Sequence, residues 1–113
     1  MKNKIVPFHA RQGDVLIESI ESLPANRKKL PREHGRVVLA HGEVTGHHHS
    51  LSAENVSLFE TVDQAGVTFL EVQEAMAELT HQEHDTINIE PGVYKVTRQR
   101  EYVAPDIVRN VAD

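Results

Sequence analysis

The chain has no cysteine and no tryptophan, and its aromatic content is only 4%. Without cysteine there can be no disulfide, no thiolate metal ligand and no cysteine nucleophile, so any bound metal would have nitrogen and oxygen donors. Scarce aromatics leave the core to Val, Ile and Leu and provide no stacking platform for unpaired bases. The net charge of -5 argues further against nucleic acid as a partner. No apolar run approaches membrane-spanning length, and the N-terminal Met1-Lys-Asn-Lys-Ile-Val-Pro7 lacks the apolar region of a signal peptide. A cytoplasmic protein with no membrane partner is expected.

What is present is ordinary for a globular domain: 39% hydrophobic and 26% charged residues in 113 positions, enough for one domain with a modest core. Residues 1–11 read as an arm interrupted by Pro7. Short β-branched runs with period-two alternation follow, near residues 12–21, 36–41, 47–52, 54–62, 67–73, 76–81, 86–90 and 93–103. Between the first two lies a long connection, 22–35, punctuated by Pro24, Pro31 and Gly35 and carrying Arg27, Lys28, Lys29 and Arg32. Asp63 to Gly66 and Pro91-Gly92 read as turns. Pro105 and Asp106 suit the first turn of a short helix over 105–113. The expected architecture is mainly β, a small antiparallel barrel or sandwich of about seven short strands with a C-terminal helix.

The most unusual stretch is His41-Gly-Glu-Val-Thr-Gly-His47-His48-His49, which concentrates histidine as no other segment does. Imidazole is the commonest protein ligand for transition metals and titrates near neutral pH. On a strand, His47 and His49 point to one face and His48 to the other. Residues 42–46 have glycine at both ends and form a plausible hairpin loop to the preceding strand. In the simplest register His41 faces His47 and Leu39 faces His49, with cross-strand Cβ atoms ~5 Å apart, within the span of one metal ion.

A second pair, His81 and His84, follows a strand on which Ala77, Leu79 and His81 share a face. Burying Leu79 would carry the His81 ring to the same side of the sheet. The metal-ligand candidates are therefore His47 and His49, with His41, His81 or His84 completing the set. Glu54 and Glu83 are candidates for a ligand, a supporting partner or a general base, and Arg98 and Arg100 for steadying an anionic substrate.

The run His47-His48-His49 followed by Glu54 resembles the first half of the cupin metal motif, His-x-His, four residues, then Glu. That resemblance implies a small β-barrel holding a divalent metal through His47, His49 and Glu54. No histidine follows Pro91-Gly92, where the second cupin motif would supply one, and the spacing from Gly42 to His47 is one residue short. His-x-His with a third strand histidine is also similar to the zinc site of α-class carbonic anhydrases, a likeness of site rather than fold.

The expected function is divalent-metal binding, with zinc preferred over Ni, Fe, Mn or Co, and water activation for hydrolysis or hydration of a small substrate. The alternative is a non-catalytic metal- or partner-binding module. A homo-oligomer that completes the site across subunits is compatible with both. Alternation along the strand generates a direct expectation: His48→Ala leaves metal affinity nearly unchanged, whereas His47→Ala and His49→Ala each weaken it severely. Calorimetric metal titration checks this, and equal losses for all three would mean that the run is not a strand.

Overall fold

A computed structural model describes residues 8–42 and 44–98. Arg100 and the expected helix over 105–113 lie outside the described residues. These contain ten short strands and no helix, and hence no helix long and apolar enough to cross a membrane.

The largest element is an antiparallel sheet in the order β1-β2-β10-β7-β6-β3. Its strands are β1 (His9–Gln12), β2 (Val15–Ser19), β3 (Lys28–Lys29), β6 (Val56–Glu60), β7 (Val67–Val72) and β10 (Gly92–Arg98). The sheet ends at β1 and β3 without closing, so the described residues do not form the barrel that the cupin likeness implies. Residues 9–11, expected in an arm, are instead an edge strand paired with β2. The turn between them has Gly13 at φ +60°, in the first central position of a two-residue hairpin, where glycine carries no Cβ penalty.

Two ribbons complete the fold: β4 (Val37–His41) with β5 (His48–Leu51), and β8 (Ala77–Leu79) with β9 (Ile87–Ile89). A bridge between Ser50 and Thr80 ties them together, with N–H···O distances of 3.1 and 2.9 Å. All three sheets contribute to one aliphatic core. Val15 and Ile17 of β2, Leu51 of β5, Leu70 and Val72 of β7, Leu79 of β8 and Ile89 of β9 are all buried. Period two explains β2 and β10, where Val15, Ile17, Tyr94 and Val96 turn inward and their neighbours do not.

The long basic connection is pinned rather than free. Arg32 donates to the carbonyls of Ala53 (2.6 Å) and Val56 (3.1 Å), and Arg27 sits over the Phe59 ring, 5.3 Å from its centroid. Lys28 and Lys29 form the exposed edge strand β3, where lysine discourages further strand pairing.

Leu70 is fully buried on a strand with hydrogen-bonded neighbours on both sides. Leu70→Ala should therefore lower unfolding stability by about 2–5 kcal/mol, measured by urea denaturation.

Candidate imidazole site

The β4-β5 register departs from the simplest one at a single point. Val37 opposes Leu51 and Val38 opposes Ser50, as expected, but Leu39 forms a bulge and beyond it Ala40 opposes His49 and His41 opposes His48. One extra residue in one strand rotates everything beyond it to the other face. His41 is thereby removed from the expected set. It is exposed, with Nε2 2.9 Å from Glu33 Oε1, and its ring neighbour is His48 at 6.4 Å. The expected facing of His41 with His47, and of Leu39 with His49, does not occur.

His48 belongs to the outer face. Its Nδ1 lies 2.8 Å from Ser50 Oγ, which also accepts from Arg36 Nε at 2.7 Å, and Arg36 Nη2 donates to Thr80 Oγ1 at 2.9 Å. This network braces the ribbon junction.

His49 points the other way and is buried, with 2% of its surface exposed. Around it gather the rings of His81 (centroids 4.3 Å apart) and His84 (5.9 Å), and His81 in turn meets His84 (4.6 Å) and His47 (5.6 Å). His47, just before β5, also has Nδ1 3.9 Å from Glu83 Oε2. The downstream histidines reach the hairpin because Leu79 is buried, Thr80 is bridged to Ser50, and His81 follows on the side of Leu79.

Three neighbours of His49 were not singled out in the sequence: Gln12, Gly13 and Asp14. The buried Gln12 amide donates through Nε2 to the carbonyls of Leu79 (3.0 Å) and Asp85 (2.9 Å). Its Oε1 must then be the acceptor facing His49 Nδ1 at 2.8 Å, so the His49 proton is on Nδ1 and its Nε2 carries the lone pair. Asp14 Oδ1 stands 3.6 Å from that Nε2, and Arg98 Nε holds Asp14 Oδ2 at 2.7 Å. A Cβ at Gly13 would come within 2.8 Å of His84 Nε2 and 3.2 Å of His49 Cε1, so the rings close directly over a residue without a side chain. No local pattern exposes these residues, because Gln12 is 37 residues from His49 and 67 from Leu79.

The remaining candidates divide. Glu83 is exposed at the rim beside His47. Arg98 is engaged by Asp14 and by the His41 carbonyl (2.6 Å), and it borders a cavity of about 250 Å³ whose walls include Val15, Leu39 and Val96. Glu54 is exposed in the turn between β5 and β6 and takes no part in the cluster's hydrogen bonds or ion pairs. As the side chains stand, no group of three or more His, Cys, Asp or Glu residues that could hold a metal ion is formed among the described residues.

Burial, followed by the neighbouring His81 charge, pushes the His49 pKa down to about 4, and the same two kinds of effect, burial and then nearby histidines, lower that of His81. Burial pushes Asp14 upward, but the hydrogen bond and charge of Arg98 outweigh it and hold the carboxyl below its ordinary range. At neutral pH the site thus presents an uncharged His49 and an ionised Asp14.

The geometry defines a small open-sheet β protein with an imidazole cluster where its three sheets meet. Residues 11–99 match the family model described as Domain of unknown function (DUF8820), and the chain belongs to that family. The cluster and its supporting residues, Gln12 to Arg98, all lie within the matched span. No curated protein and no solved structure matches the chain.

The His49 pKa is lower folded than unfolded, so between about 4 and 6.5 the unfolded chain binds the extra proton and folding loses stability as pH falls. In metal-free protein the thermal midpoint should drop across that window, and His49→Gln should flatten the dependence. An unchanged slope in the variant would place the acid sensitivity elsewhere.

Proposed function

We propose that this protein is a divalent-metal-binding β domain whose ion is held by the imidazole cluster, with His49 as the anchoring ligand and His47, His81 and His84 as the surrounding candidates. The observation that carries this reading is the Gln12 clamp. It fixes the buried His49 as the Nδ1-protonated tautomer and leaves the Nε2 lone pair facing the Asp14 carboxylate. An outer hydrogen-bond acceptor on the non-ligating nitrogen is the usual companion of a metal-bound histidine. Rings that share one tetrahedral ion have centroids about 5 Å apart, and the His49 and His84 rings, 5.9 Å apart, need to close only slightly to reach that spacing. Because the donors do not converge as they stand, binding requires an exposed ring such as that of His84 to swing toward His49.

Nitrogen and oxygen donors without sulfur suit zinc, and equally suit iron, nickel, cobalt or manganese. A bound ion of this kind with an open position supplies Lewis acidity and a water of lowered pKa, the basis of hydrolase or hydratase activity. The mainly apolar cavity bordered by Arg98, the partner of Asp14, offers room for a small substrate, which supports the catalytic version over a purely structural ion.

Untagged protein purified without chelator is expected to carry one equivalent of a divalent metal by elemental analysis. Adding the metal at 100 times its Kd should stabilise the fold by about 2.7 kcal/mol. Repeated absence of Zn, Fe, Ni, Co, Mn and Cu, with no thermal shift on adding them, would remove the proposal.

A further inference from the structure

Within that reading, the geometry points to a particular donor set: His49 Nε2, His84 Nε2 and the Asp14 carboxylate bind the ion, and His81 is a turn brace rather than a ligand. His47 stays at the rim beside Glu83, so the severe loss expected from the sequence for His47→Ala does not occur. The inference rests on the metal reading but makes a separate claim about which atoms are used.

The first observation concerns two acceptors that face each other. Gln12 assigns the His49 proton to Nδ1, so the Nε2 that looks at Asp14 Oδ1 across 3.6 Å has a lone pair and no hydrogen. Asp14 is ionised beside Arg98. Neither atom has anything to donate to the other, and a cation between them removes the repulsion. Two ligands at 2.0–2.1 Å from a tetrahedral ion stand about 3.4 Å apart, close to the spacing observed. Arg98, on the far oxygen, orients the carboxylate as an outer partner does.

The second observation brings in His84. Its Nε2 and the edge of His49 that carries Cε1 flank the same point beside Gly13, the residue preceding Asp14. No protein partner occupies either ring nitrogen of His84 among the described residues. Its side chain is exposed, so the ring can swing toward the other two donors about its own side-chain bonds while the neighbouring Asp85 carbonyl stays on Gln12.

The third observation removes His81. Its Nδ1 accepts the backbone N–H of Glu83 at 2.9 Å and, more weakly, that of His84 at 3.4 Å. A neutral ring used in this way keeps its proton on Nε2, so neither nitrogen is open to a metal unless the turn comes apart. Through the brace, His81 positions His84. Two imidazoles and one carboxylate leave coordination positions open, the pattern of non-haem Fe(II) sites and of catalytic zinc with three protein ligands.

Zinc titration by calorimetry, paired with the absorption spectrum of the Co²⁺-loaded protein, tests the assignment. Asp14→Asn and His84→Ala should each lower affinity by more than about a hundredfold, beyond the 10–100-fold typical of losing an outer partner. His81→Asn should change affinity less than about fivefold and leave the Co²⁺ bands in place, because an asparagine oxygen can accept the same backbone N–H two residues on. Circular dichroism and thermal melts establish that each variant is folded. Wild-type affinity in Asp14→Asn, or loss of metal in His81→Asn, overturns this donor set while leaving the metal reading intact if His49→Ala abolishes binding. A wild-type protein that takes up no Zn²⁺ or Co²⁺ overturns both.

Discussion

The arrangement depends on one buried amide. Gln12 belongs to the edge strand of the six-stranded sheet, accepts from His49 in the first ribbon, and donates to carbonyls at the end of β8 and in the turn that follows. A single side chain thus spans all three sheets at their junction. Leaving such buried groups unpaired would cost about 1–3 kcal/mol each, so the amide is an obligation as well as a link. It also settles a chemical question that packing alone leaves open, namely which nitrogen of His49 is basic.

Around that link the β4-β5 ribbon has two chemically separate faces. The inner one carries His49 and Leu51 toward the core, and the outer one carries His48, Ser50 and His41 into a polar network with Arg36, Thr80 and Glu33. Arg32 in the long connection and Arg36 just after it are occupied by backbone and hydroxyl acceptors, so their charge is invested in holding the ribbons and loops in place. The charges that face the cluster belong instead to the Asp14-Arg98 pair and, at the rim, to Glu83.

Much of the strand pattern was legible in the sequence, because it depends on period two and on aliphatic branching. Val15 and Ile17, Ala77 and Leu79, and Tyr94 and Val96 turn inward as alternation requires. Alternation also separated His48 from His49. Other features depend on contacts that no window of sequence contains. Gln12 and Asp14 carry no ligand signal in the strand-like stretch 12–21, and their importance arises only when residues 49, 79 and 85 come beside them. The edge strand β1 was hidden by its polar composition, His-Ala-Arg-Gln, which satisfies the ladder but carries little hydrophobic signal. The likeness to cupins gave Glu54 a place beside the histidines, yet the chain leaves that residue exposed in the turn between β5 and β6.

The bulge at Leu39 makes the histidine ribbon a record of chain length as much as of residue identity. On the core side of the bulge the strands pair as an unbroken hairpin would, and on the loop side every partner is displaced by one. Removing Leu39 would let the two strands pair regularly while leaving Ala40 opposite His49 and His41 opposite His48, whereas pairing Leu39 instead of bulging it would set His41 against His47. The neighbour of each histidine is therefore set by whether one extra residue is bulged out or paired, a choice of register that the identities of the histidines do not reveal.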